Sequence, residues 1–398
     1  DSGIGGTAST LTINAASLNG NTAGSGITVA AGSGANTIDA PVILGASQSW
    51  TNNSSNTLTV TGAISQSATG FALTKAGTGT VSLTNASNTY SGATSIAAGT
   101  LSVSKLSNGG SPSSIGESSN VAANLLISSA GTGALQYVGS GDSTDRLFTL
   151  ISPLGYTATI DSSGSGPIDF TNTGAVAFGQ NHPATLVLTG TNTGNNILSP
   201  SIYDPNSTGN PIAITKSGPG TWVLANADTT TGSITITGGT LAVDTTINTS
   251  VATALSGTSG VTITPTATAN STFKLISVAG SAGSVVNVLN KSAAIVTTSV
   301  AGPYYGVLDI DYTPGAYNQV LSFKVNGVFQ DPGLYGSASF FLADNITSLT
   351  AEQSADENFF ADSGGISVPE PTSIGLIGLA SLLLQRRRRR SKACCSAI

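Results

Sequence analysis

The sequence predicts an all-β chain organised as a stacked solenoid, and three observations carry that prediction. The stretch Leu73 to Val103, LTKAGTGTVSLTNASNTYSGATSIAAGTLSV, returns at Ile214 to Val243 as ITKSGPGTWVLANADTTTGSITITGGTLAV. Self-similarity at this length marks a repeat architecture. Short apolar segments alternate with Thr and Ser, the period-two pattern of half-buried strands. Glycines sit at the breaks, where tight corners or positive φ are required.

Within the first copy, Val81 and Leu83 flank Ser82, and Leu101 and Val103 flank Ser102. Two apolar side chains therefore point one way and a hydroxyl the other. A strand this short cannot bury its apolar face alone, and stacking one coil on the next solves that. Val81, Leu83, Leu101, Val103, Trp222, Leu224, Leu241 and Val243 are thus the expected core positions. Lys75 aligns with Lys216, Gly77 with Gly218, and Gly79 with Gly220. After one deletion Gly92 aligns with Gly232 and Leu101 with Leu241, while Tyr90 becomes Thr230.

The pattern (L/I)-T-K-x-G-x-G-T, then Asn, then Gly-Thr-Leu-x-Val resembles the autotransporter-associated β-strand repeat, also called the passenger-associated transport repeat. That resemblance implies a parallel β-solenoid on a secreted, surface-exposed protein. The expectation is a mainly parallel, right-handed β-solenoid with about 20–25 residues per coil.

Taken in order, residues 1–250 read as solenoid, clearest at 73–103 and 214–243. Leu11-Thr12-Ile13, Ile27-Thr28-Val29 and Val42-Ile43-Leu44 are early strand candidates. Leu125 to Ile127, Ala134 to Val138, Leu147 to Ile151 and Ala158 to Ile160 follow. Leu58 to Gly62 leads into the first copy and Leu186 to Gly190 into the second, which carries an inserted loop around Pro200 to Pro211. Residues 251–325 continue the solenoid in degenerate form, with strands at Phe273 to Ile276 and Val320 to Phe323. Residues 326–367 are more aromatic and read as a C-terminal β cap and linker, covering an open end that would otherwise expose strand edges. Leu349 to Asn358 suits a short helix. The chain opens at Asp1 without Met in sequence that already reads as repeat, so a fragment or a processed chain is expected.

Composition narrows the function. Of 398 residues, 8% are charged, and residues 1–385 carry seven positive charges against 19 negative. A dilute acidic surface argues against nucleic-acid binding. Both cysteines, Cys394 and Cys395, lie beyond the last arginine, so the repeat region has neither a disulfide framework nor a Cys-based metal site. His182 is the sole histidine. A Ser-His-Asp triad would have to use it, and its setting between strands favours a solvated turn. Asp309 and Asp311 share one strand face. They suit acid/base chemistry, Ca²⁺ or simple solubilisation, and the ligand-dense Ca²⁺ loop pattern is missing. Asp142, Asp145 and Arg146 read as a local turn network. Gly131-Thr132-Gly133 and Gly164-Ser165-Gly166 lack the Lys and helix of a phosphate loop and read as turns. Trp50 and Trp222 suit core packing better than sugar-stacking platforms. The expectation is no enzyme, no cofactor and no metal.

Residues 368–398 form a tripartite tail. Pro369-Glu370-Pro371 is followed by Thr372 to Leu384, an uncharged run of 13 residues, and then by Arg386, Arg387, Arg388, Arg389 and Arg390. The run is helix-compatible and falls short of the roughly 20 residues needed to span hydrocarbon unaided. The arginines fix which end stays in the cytoplasm, as a membrane stop. The order and spacing resemble a PEP-CTERM sorting signal. A plain C-terminal anchor with a positive stop is the other reading. The resemblance implies recognition through Pro369, Glu370 and Pro371 by an exosortase, a membrane transpeptidase-like protease, and removal of the tail after transient anchoring. It also implies an exported chain at the cell surface or in the extracellular matrix, often with extracellular polysaccharide. The function expected is that of a non-enzymatic structural or adhesive surface protein facing polysaccharide or a neighbouring cell surface. A polysaccharide-binding or polysaccharide-active β-helix is the alternative.

Overall fold

A computed structural model describes residues 9–16, 22–151, 157–179, 182–205, 210–248, 255–277, 288–300, 303–312, 317–326, 328–330, 333–336, 359–361 and 365–368. The described chain is all-β apart from one 3₁₀ turn, Ala122–Asn124. Its strands fall into sheets of three, seven, thirteen, eight and three strands. Pairing is parallel throughout the large sheets up to Ser322–Val325, and each strand pairs with one from the next coil of chain. This is compatible with a β-solenoid. Val81 pairs with Leu101, and Leu101 with Leu135, so successive coils take 20 and then 34 residues. Coil length therefore varies more widely than the 20–25 residues expected, because loops absorb insertions outside the strands.

The early strands fall at Leu11–Ile13, Ser25–Val29 and Val42–Leu44, where the apolar alternation placed them. All eight expected core residues are buried, and they join one continuous hydrophobic cluster along the stacked coils. Leu83 is fully buried. Leu83→Ala is expected to cost about 3 kcal/mol in a denaturant melt, since a thin core has little freedom to close the cavity. An unchanged midpoint would mean that the inward register is wrong.

The two repeat copies do not occupy the same sheets. Leu73–Ala76, with Lys75, lies in the seven-stranded sheet, and Thr80–Leu83 in the thirteen-stranded one. Ile212–Lys216 lies in the thirteen-stranded sheet, and Thr221–Leu224 in the eight-stranded one. The second copy is turned by one sheet. The motif is thus a local unit of strand, glycine corner and strand, indifferent to which sheet hosts it. Gly77 and Gly218 explain part of this, with φ of 77° and 68° at the shared corner. A side chain is strained there.

Two expectations are corrected. The strand expected at Val320 to Phe323 runs from Ser322 to Val325. The Val320 N–H instead donates to the Ser367 carbonyl, and Leu321 is 61% exposed. The strand expected at Leu147 to Ile151 shrinks to Thr149–Leu150. At the C-terminal end Ser322–Val325 pairs antiparallel with Val328–Phe329, and Gly333–Gly336 pairs antiparallel with Gly365–Val368. Phe360 packs edge-on against Phe323 and Phe359 against Tyr305. The helix expected over Leu349 to Asn358 and the one over Thr372 to Leu384 lie outside the described residues. No helix among the described residues is long and apolar enough to cross a membrane.

Candidate functional site

The buried charges do structural work. Lys75 shares strand parity with Leu73, so its stem enters the core and its ammonium must find partners there. Its Nζ donates to the carbonyls of Ala76 at 3.0 Å, Gly77 at 2.9 Å and Ala98 at 2.8 Å. Lys216 repeats the arrangement with Ser217 at 2.7 Å, Gly218 at 2.8 Å and Gly238 at 2.9 Å. Burial pulls both ammonium groups down to about 8. Each lysine thus ties its own glycine corner to the matching corner one coil on. The sequence reading missed this role, although the shared Lys and its inward parity were visible.

Asp142, Asp145 and Arg146 do not form a local turn network. They pin a loop more than 20 residues earlier in the chain. Asp142 Oδ2 accepts the N–H groups of Leu106 and Ser107. Asp145 accepts the Gly109 N–H at 2.7 Å and the Asn120 amide at 2.9 Å. The Arg146 guanidinium, 1% exposed, donates to the carbonyls of Leu106, Ser107, Ser111, Gly116 and Ser118 and to the Ser118 hydroxyl. Nothing in the spacing of residues 104–120 signals that loop, because it lies outside the repeat.

The second copy replaces Tyr90 by a different anchor. The Tyr90 hydroxyl meets the Thr94 hydroxyl at 2.7 Å in the core. At Thr230 the side chain is smaller, and Asp204 from the inserted loop reaches in instead. Its carboxylate accepts from Thr230 Oγ1 at 2.8 Å, the Ile212 N–H at 2.9 Å, the Thr231 N–H at 2.9 Å and Thr231 Oγ1. Burial works to raise the Asp204 pKa, and these four donors outweigh it, holding it below the usual value. A depressed carboxylate contributes stability above its unfolded pKa of about 4, which is lost as pH falls through the folded value. Asp204→Asn is expected to lower stability by about 1 kcal/mol at pH 6 and by less at pH 3, the deficit closing as pH falls through the folded value. Parallel melts at the two pH values check this.

The remaining candidates offer little chemistry. His182 Nδ1 contacts its neighbour's carbonyl, Pro183 O, at 3.1 Å, and not a serine or carboxylate. Asp309 and Asp311 do share the outer face, where Lys274 on the adjacent strand pairs with them at 3.1 Å and 3.7 Å. Trp50 and Trp222 are buried, with indole N–H groups donating to Gln48 Oε1 and the Thr189 carbonyl. They are not platforms for sugars. Gly133 and Gly166 each open a strand. No group of His, Cys, Asp and Glu suited to a metal occurs among the described residues. Pro369, Glu370, Pro371 and Arg386 to Arg390 lie outside them.

One outward row carries no charge. In the thirteen-stranded sheet, Thr100, Ala134, Thr159, Val187, Thr215 and Thr235 stand in register on successive coils. Parallel strands put such rows at about 4.8 Å per step. Open grooves of 540 and 320 Å³ flank this row, lined by residues such as Thr78 and Thr132 in one and Thr157 and Thr185 in the other.

Comparison with known proteins adds to this geometry. Residues 73–103 and 214–243 match the Passenger-associated-transport-repeat family, and residues 367–390 match the PEP-CTERM protein-sorting motif. Over 142 residues, 35% of the chain, the sequence is 51% identical to the adhesin BmaC autotransporter of Brucella suis biovar 1 (strain 1330). The chain spans only 4% of that relative's length. No solved structure matches the chain.

Proposed function

We propose that this is an exported, non-enzymatic surface protein: a right-handed parallel β-solenoid that adheres to, or builds, the extracellular layer. In this reading residues 1–250 and 251–325 form one stack, and residues 326–367 cap it. The observation that carries the proposal is what the buried charges do. The buried Lys75, Lys216 and Arg146, with the half-buried Asp204, all hydrogen-bond the chain's own backbone, so their polar chemistry is spent on holding the chain together. One outward row of the thirteen-stranded sheet is left without charge, four threonines with Ala134 and Val187. Such a surface suits many weak contacts with uncharged polysaccharide or a neighbouring cell surface. The resemblance to part of an adhesin supports the same reading. Cells displaying the full chain should adhere to polysaccharide-coated surfaces more than cells lacking it. Equal adherence, or turnover of the polysaccharide that is lost on mutating Asp309, overturns the proposal.

The tail completes it. Pro369-Glu370-Pro371 is read by an exosortase, Thr372 to Leu384 holds the motif at the membrane, and Arg386 to Arg390 stop translocation. An uncharged run of 13 residues makes a poor permanent anchor, which suits a segment that is cut away. In a host carrying a cognate exosortase, intact mass should show the extracellular product lacking the chain beyond about residue 370. Substituting Pro369 and Glu370 should leave the full-length chain in the membrane fraction. A secreted product that keeps Cys394 and Cys395 means an ordinary tail.

A further inference from the structure

The last described strand, Gly365–Val368, ends at the residue directly before Pro369. It is the middle strand of its sheet. Tyr317–Gln319 pairs with it in parallel on one side and Gly333–Gly336 antiparallel on the other. Ile366 is fully buried and Val368 is 7% exposed, and both belong to the continuous core. The Ser367 carbonyl also accepts the Val320 N–H at 3.0 Å. Both main-chain edges of this segment are therefore occupied, and its apolar side chains are held, up to the first residue of the motif.

A partner that reads an extended peptide does so by pairing with a free main-chain edge and taking alternate side chains into pockets. Gly365 to Val368 offer neither while the strand is docked. Resting on the reading of the tail as a sorting signal, we infer that docking of this strand withholds the upstream half of the processing site. The protease cutting near Pro369-Glu370-Pro371 then acts on chains in which the strand has left its sheet. In the step itself an amide C–N bond breaks, the acyl carbon bonds to water or an acceptor amine, and the departing nitrogen takes a proton. What the fold controls is access. Cleavage that is slower than reclosing follows the population of the opened form.

The full-length chain, with Cys394 and Cys395 changed to Ser, is expressed in a host carrying a cognate exosortase and followed by pulse-chase and intact mass. Leu334 and Ser367 are register partners in the antiparallel pair, so L334C/S367C is the staple that would hold the strand in place. The stapled chain should stay uncut until reductant is added. Ile366→Asp removes the buried anchor. Val320→Pro removes the N–H that bonds Ser367, at a site far in sequence from the motif. Each should raise the cleavage rate about tenfold or more by populating the open strand. A staple that is cut at the wild-type rate, or loosened variants cut no faster, overturns the inference while leaving the sorting reading intact. An unprocessed wild-type chain overturns the sorting reading and this inference together.

Discussion

Arg146→Ala is expected to destabilise the protein by about 5 kcal/mol, the largest effect of any single substitution considered. The side chain is 1% exposed and its three nitrogens reach five carbonyls and a hydroxyl. Truncation removes the guanidinium donors from all five carbonyls. Ser107, Gly116 and Ser118 keep the Thr144 hydroxyl, the Ser113 hydroxyl and the Gly110 N–H respectively, and each acceptor that neither protein nor water satisfies costs about 1–3 kcal/mol. Part of that is offset, because the guanidinium no longer has to be desolvated. Arg146→Lys should recover little, since a single ammonium with three donors cannot span acceptors from Leu106 to Ser118. The loss should be local first. Hydrogen exchange should rise at Leu106, Ser107 and Gly109, whose N–H groups are held by Asp142 and Asp145 of the same turn. Protection at Trp222 and Leu241, in the second copy, should change little. A melt within 1 kcal/mol of wild type, or exchange rising evenly along the stack, would refute the clamp.

That clamp also marks where the sequence stops being legible. Parity along a strand is a short-range signal, and it placed Val81, Leu83 and Val243 inside because each alternates with a hydroxyl or small residue, while Trp222 followed from its alignment with Val81. It was equally available for Lys75, which sits two residues after Leu73, but a charge at an inward position is meaningful only once its acceptors are known. Two of them, Ala76 and Gly77, are its neighbours, but the third is the Ala98 carbonyl, 23 residues away, at a corner that exists only when two coils stack. Arg146 is harder still, for its partners lie 28 to 40 residues earlier in a loop with no repeat pattern. The turn of the second copy by one sheet has the same origin. Each motif fixes its own corner, whereas the number of residues between motifs, and hence their phase around the stack, is set by loops that carry no period. For the tail the situation is reversed. Its motif is a linear address, and the order of Pro369-Glu370-Pro371, apolar run and arginines is legible without any fold.

Lys216→Met is expected to cost about 4 kcal/mol at pH 7 and to show by its pH dependence what the buried ammonium does. Methionine keeps an unbranched stem in the core and removes the three donors, so the carbonyls of Ser217, Gly218 and Gly238 lose their shared partner. The corner at Gly218, with φ of 68°, and the matching corner at Gly238 would then be joined by strand pairing alone. Burial holds the Lys216 ammonium at about 8, below the value near 10.4 of an unfolded lysine. Between those values the unfolded chain binds the proton and the folded chain does not, so stability rises with pH in this window. Below about pH 8 both states are charged and the desolvation cost is fully present. The wild type should therefore gain on Lys216→Met by up to about 1.4 kcal/mol per pH unit as pH climbs from 8 toward 10. Lys75→Met should behave alike, since its ammonium also sits at about 8 among three carbonyls. Denaturant melts of both variants and wild type at pH 7, 8.5 and 10 read the difference directly. A flat difference would mean that the three carbonyls, which only the ammonium satisfies in full, hold the proton against burial. A difference that falls with pH would reverse the sign and show that the caged charge stabilises the stack.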